Sequence, residues 1–186
     1  MIYGGLGGVV DRVELELKLN EGRNWLLEKY VELTDEQLHR PLTKSQHDPE
    51  NQWSALDHLA HLALIERDFA AMVRRHVAGI ANPVGLLNDD QGQQRSRAEI
   101  MAIVNERTEQ WQREHQNDTF GEVVALTGAA RGSTFQLIAE LSDQQLEEQL
   151  AGAPWADGTL GGVLGANADH GRMHWKWVEE AGVLTD

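Results

Sequence analysis

Three histidines are spaced so that they could close on one metal ion. His61 lies in the helical-looking run Trp53-Ser-Ala-Leu-Asp-His-Leu-Ala-His61, and His170 and His174 follow near the C-terminal end. On an α-helix, residues four apart stack on one face with Cβ atoms roughly 5–6 Å apart, so His170 and His174 offer two imidazoles to one ion. His61 supplies a third from a facing helix, and His58, three residues earlier on nearly the same face, competes for that place. Three neutral imidazoles suit a late first-row divalent metal. They leave a coordination position for water or substrate, the arrangement of a reactive site more than of a structural one. Imidazole must be neutral to ligate, and free histidine titrates near roughly 6.5, so affinity is expected to fall on acidification toward about pH 5.

Each of these residues also has an ordinary role. Two histidines four apart occur as half-exposed helix side chains, and a histidine amid leucines is commonly a core residue bonded to a carbonyl. His39, His47, His76 and His115 sit in polar contexts that solvated side chains explain. Trp175 and Trp177 flank His174, where tryptophans usually serve a core or an interface. Asp57, one turn before His61, is either an acceptor that orients the imidazole or a helix cap. Asp57, Glu66 and Asp169 are the acids nearest the histidines in sequence, but Glu66, five residues after His61, points away from it. No general base is assigned among them.

The elements that must position these residues are helices. A first helix is expected from about Val10 to Leu33, with Trp25, Leu26, Tyr30 and Leu33 on one stripe. Within it Val13-Glu-Leu-Glu-Leu-Lys-Leu19 alternates with period two, as a half-buried strand would. No partner strand is visible elsewhere, and Glu, Leu and Lys favour helix. Thr34 with Gln37 has the form of a capping box opening a short turn, and Pro41 to Pro49 is a loop. Ser54 with Asp57 caps a second long helix whose apolar face, through Leu56, Leu59, Ala60, Ala63, Leu64 and Phe69, runs to about Val77.

A polar connection through Pro83 and residues 88–94 leads to an amphipathic helix near Ser96 to Gln116. Thr119 with Glu122 starts the next, which Val123, Leu126, Phe135, Leu137, Ile138 and Leu141 carry despite Gly128 and Gly132. Those glycines weaken the helix or permit close packing. Ala151 to Gly158 is a loop, and Thr159 opens a last helix ending before Gly182. Val31-Glu-Leu-Thr-Asp-Glu-Gln-Leu38 resembles Ala139-Glu-Leu-Ser-Asp-Gln-Gln-Leu146, and each precedes a tryptophan, Trp53 or Trp155, and then a histidine-bearing helix. That repetition implies a pseudo-twofold bundle with the histidine helices facing one another.

Composition sets the surroundings. The 186 residues are 41% hydrophobic and 25% charged, which suits a single domain over residues 1–186 with its core from about 10 to 182. Thirty acidic against sixteen basic side chains give a formal charge of −14, which repels phosphate backbones and anionic membranes. Neither nucleic acid nor membrane is therefore an expected partner. With no cysteine, disulfides and thiolate ligands are excluded and any reactive thiol must come from a cosubstrate. Met1 to Val10 lacks a basic leader, and no window approaches the roughly 20 apolar residues of a membrane span, so a cytoplasmic protein is expected.

Trp53-Ser54 followed by His61, a capped Leu-Ser-Asp-x-x-Leu turn, and an Asp-Gly-Thr-Leu start leading into His170-x-x-x-His174 together resemble the DinB-like superfamily. The likeness runs from about residue 10 to 182. It implies an all-α four-helix bundle with short additional helices and a three-histidine site for a divalent metal, commonly nickel or zinc. It assigns His61, His170 and His174 as the ligands and favours His61 over His58. Trp175-Lys176-Trp177 departs from the smaller or more polar residues of many relatives, which leaves the pocket wall and substrate class open.

Members of that superfamily resemble thiol-dependent S-transferases or hydrolases. A metal on three neutral ligands keeps its charge and acidifies a bound water or thiol. The expectation is therefore a metal-dependent enzyme acting on a small-molecule substrate by hydrolysis or by transfer of an external low-molecular-weight thiol. The alternative is a non-catalytic small-molecule-binding or stress-response dimer with a vestigial site. A homodimer is expected in either case, from the resemblance and from six tryptophans, of which Trp111 and Trp177 are placed on an outer face.

Overall fold

The computed structural model describes residues 11–45, 48, 50–89 and 91–185. Met1 to Val10, His47 and Pro49 lie outside the described residues. Among those described, the chain is all-α apart from one small hairpin. The helices are α1 (Arg12–Val31), α2 (Asp35–His39), α3 (Ala55–Val77), α4 (Arg97–His115), α5 (Phe120–Glu140), α6 (Asp143–Leu146), α7 (Leu160–Gly165) and α8 (Asn167–Glu180).

The period-two stretch is helical, and its burial shows why. Leu15 and Leu19, four apart, are buried, whereas Val13 and Leu17 are 64% and 54% exposed, so the hydrophobic alternation includes two residues that face solvent. Capping signals fix most helix starts. Thr34/Gln37, Ser54/Asp57, Ser96/Glu99, Thr119/Glu122 and Ser142/Gln145 all form reciprocal capping boxes, each satisfying amide groups that a helix N-terminus leaves without intrahelical partners. The expected loop after Pro41 contains a short strand, β1 (Thr43–Lys44), paired antiparallel with β2 (Gln52–Trp53). The last helix is interrupted at Ala166, which keeps right-handed helical angles (φ −57°, ψ −26°).

Helices α1, α3, α5 and α8 form the bundle, and α4, a fifth long helix, lies against α3. The two similar segments end α1 and α5 in the same manner, each leading into a short capped turn, α2 or α6. Three arginines tie α1 to α5 and the turn after it. Arg12 donates to the Ile138 and Leu141 carbonyls, Arg23 to the Val124 carbonyl, and the buried Arg131 to the Leu19 carbonyl while pairing with Glu66 of α3 (Nε to Oε1, 2.5 Å). Helices α1 and α8 approach closely where side chains are absent. A Cβ on Gly22 would stand 2.2 Å from the Ala168 carbonyl oxygen, and one on Gly171 would meet Leu26 at 2.9 Å. That approach sets the depth of α8 against the bundle. Gly128 sits beside the Arg23 guanidinium, and Gly132 has open space around it, so neither glycine is needed for helix contact. No described helix is long and apolar enough to cross a membrane.

Candidate metal centre

The histidine helices pack on each other, α3 presenting His58 and His61 and α8 presenting His170 and His174. On α3 the burial of Leu56, Leu59, Ala60, Ala63 and Leu64 leaves the histidines along the edge that meets α8. On α8 the buried stripe of Ala168, Gly171, Trp175 and Val178 turns His174 inward, with His170 one turn before it. Ligand-capable nitrogens of His61, His170 and His174 all lie within 4.8 Å of one another. The Nε2 atoms of His170 and His174 are 3.2 Å apart. Two nitrogens bound tetrahedrally at the usual zinc distance would be separated by about 3.3 Å. His61 Nδ1 is buried with no hydrogen-bond partner, a condition that costs about 1–3 kcal/mol and that coordination would relieve. The donor set, its spacing and this orphaned nitrogen fit a divalent ion.

His58 stands behind the cluster. Its Nδ1 is 2.8 Å from Nδ1 of His174, and its Nε2 is 2.7 Å from the Thr43 hydroxyl on β1. The residues alone left His58 and His61 as rivals and the family resemblance favoured His61; in the structure His61 clusters with His170 and His174, while His58 meets His174. Trp53 sets its ring against both imidazoles, with centroids 5.3 Å from each.

Burial drives these imidazoles toward the neutral form that ligates. Desolvation, and then the neighbouring His170 and His58, lower the His61 pKa to about 3. Desolvation lowers His58 to about 4 and also lowers His170. His174 is held well below its ordinary value by desolvation and then by the three other histidines. Competition between protons and metal, expected near the ordinary imidazole value, is displaced to more acidic solution.

None of the acids near the histidines in sequence serves the cluster. Asp57 accepts from the Ser54 amide and hydroxyl and from Gln112, so it is the helix cap; desolvation raises its pKa. Glu66 is the partner of Arg131, and the Asp169 side chain is 91% exposed beside Arg172. The acid that shares the site is Glu109 of α4, only 6% exposed. It accepts from the Ser45 hydroxyl and from Asn51 Nδ2 at 2.6 Å and lines a cavity of about 270 Å³ with all four histidines. It lies more than thirty residues from any of them in sequence, and only the docking of α4 brings it there.

The aromatic residues divide. Trp175 is core, edge-on to Tyr30 at 5.3 Å, whereas Trp177 lines the cavity with its ring 4.9 Å from that of His174. Trp111 is not on an outer face, because its Nε1 donates to the Ala60 carbonyl and its ring is buried against α3. His39, His76 and His115 remain outside the site; His76 lies 3.2 Å from Glu148 and His115 2.7 Å from Asp118.

The helical architecture agrees with the comparisons to known proteins. A family model of the DinB superfamily matches residues 18–178. The chain belongs to the DinB superfamily. A crystal structure of an uncharacterised protein from Escherichia coli UTI89 is similar over 91% of this chain and 93% of its own, with 17% identity and a TM-score of 0.53. That likeness concerns the fold. Among curated proteins, none matches the chain.

Proposed function

We propose that the chain is a divalent-metal-dependent enzyme acting on a small molecule, with His61, His170 and His174 as ligands and thiol transfer or hydrolysis as the reaction. The observation that carries this reading is the convergence of three imidazoles, kept neutral by burial, beside an accessible cavity. A divalent ion such as nickel or zinc on three neutral ligands would acidify a water or thiol, supplying a nucleophile near neutral pH.

The chain's own residues do the rest. His58 and Thr43 fix the His174 ring through the bonds on its far side. Trp53 and Trp177 set their rings against the histidines, and these apolar walls strengthen charge interactions beside them. Glu109, held by Ser45 and Asn51, is the carboxylate placed to accept a proton within the same cavity. With no cysteine in the chain, a thiol reaction draws on an external low-molecular-weight thiol.

The test combines elemental analysis of protein purified without an affinity tag with a screen of thiol cosubstrates and hydrolysable esters and amides. Bound metal with activity abolished by His170→Ala supports the reading. Metal-free protein that also gains no activity on reconstitution with nickel or zinc contradicts it.

A further inference from the structure

The cavity at the histidines is one end of a longer cleft. Helices α4 and α8 both lie on α3, and the space between them continues away from His61 into a second section of about 780 Å³. Ile65, Val104, Thr108, His170 and Met173 line both sections, so the boundary between them is shared side chains, with one of the three clustered histidines among them. The far section is walled by Phe69, Met72, Val84, Ile103 and Trp155, with the Trp155 and Phe69 rings 4.9 Å apart. Met173 at 43% and Ile103 at 38% exposure are large apolar side chains open to solvent here. A volume within the range of roughly 300–1,000 Å³ typical of small-molecule sites suits a single organic ligand.

The charged side chains around this section balance, Arg75 and Arg107 against Asp68 and Asp169. Arg107 is paired with Asp68, Arg75 Nε donates to the Pro83 carbonyl at 2.6 Å, and Asp169 lies beside Arg172. Two arginines against two aspartates leave the section with no net charge to favour an anionic or a cationic ligand, and most of the rest of its lining is apolar. Recognition there rests on burial of apolar surface.

We propose that the far section is the substrate chamber and that the substrate is an uncharged molecule with an aromatic or branched aliphatic body, seated there while its reactive end reaches past His170 and Met173 to the metal. This assignment rests on the metal-enzyme reading for its purpose, but the chamber's ligand preference can be measured without metal. Its occupant is a small molecule, as the continuity with the histidine cavity requires.

The probes are N-phenyl-1-naphthylamine, which is uncharged, and its sulfonated analogue 1-anilino-8-naphthalenesulfonate. The expected result is one uncharged probe per full-length chain, bound at least tenfold more tightly than the sulfonate. Ala71→Trp, which fills the chamber from α3, and Ile103→Asp, at a half-exposed position on α4, should each weaken binding at least tenfold and leave Co²⁺ affinity unchanged. Bound Co²⁺ should quench the probe's fluorescence.

Equal affinity for the two probes, or full affinity in both variants, overturns the proposal. So does binding that appears only when residues 1–10 are removed, since the chain's own N-terminus would then be the occupant. A doubled mass that both variants return to monomer overturns it in favour of a second copy. If the probe binds as expected but no metal does, the chamber stands as the site of a non-catalytic binder and the enzyme reading fails alone.

Discussion

Nδ1 of His58 lies 2.8 Å from Nδ1 of His174, while the other ring nitrogen of His174 faces His170. This relationship orders the site. If Nε2 of His174 is to ligate, its Nδ1 must carry the proton and donate to His58. The His58 Nε2 then carries its own proton and donates to the Thr43 hydroxyl. One tautomer is thus specified along the chain Thr43, His58, His174.

His58→Ala should accordingly lower metal affinity by about 10–100-fold, the usual cost of losing a group that orients a ligand. His61→Ala and His170→Ala should each cost more. Calorimetric titration with zinc measures the order; a His58 variant weaker than both ligand variants contradicts it.

The buried histidines also make stability depend on pH. Their folded pKa values lie below the unfolded value of about 6.5, so below that pH the unfolded chain takes up protons that the folded one refuses. The contribution is full above pH 6.5 and is lost as pH falls toward about 4 for His58 and about 3 for His61. The slope is about 1.4 kcal/mol per pH unit for each such histidine. Urea unfolding of metal-free protein at pH 7, 6 and 5 should show falling stability and a shallower fall in His61→Leu. A flat profile would remove the desolvation argument.

Glu66→Ala leaves the Arg131 guanidinium buried without its carboxylate, and the expected loss is about 3–5 kcal/mol of stability. Metal stoichiometry at low temperature should stay unchanged, because Glu66 faces Arg131 and not the histidines. Denaturant unfolding and metal titration of the same preparation separate the two effects.

Gly22→Ala forces a methyl group onto the Ala168 carbonyl, so α8 must move away from α1. His170 follows two residues after Ala168 and moves with it. The substitution should cost about 1–3 kcal/mol of stability and lower metal affinity together. Stability loss with metal affinity intact would show that the depth of α8 is not set at this contact.

Helix starts and the shared face of His170 and His174 were legible because their signals are local, whereas the choice of His61 as their companion came from the family resemblance. Capping residues act within one turn, and the spacing of His170 and His174 determines their shared face. Glu109 was not legible, since a lone glutamate on an amphipathic helix has no pattern, and only the packing of α4 on α3 places it beside His61. The same docking buries Trp111, where composition favoured an outer face. The cleft is a gap between α4 and α8, and gaps leave no periodicity in a sequence. The short β1–β2 pair escaped notice because two-residue strands are too brief to alternate.

The most direct test is metal stoichiometry and affinity in untagged protein, compared across the wild type, His58→Ala, His61→Ala and His170→Ala. The account predicts one divalent ion per wild-type chain, weakened but retained in His58→Ala, and severely weakened in His61→Ala and His170→Ala. Full stoichiometry and affinity in His61→Ala, or loss of both in His58→Ala with His61→Ala intact, would contradict it.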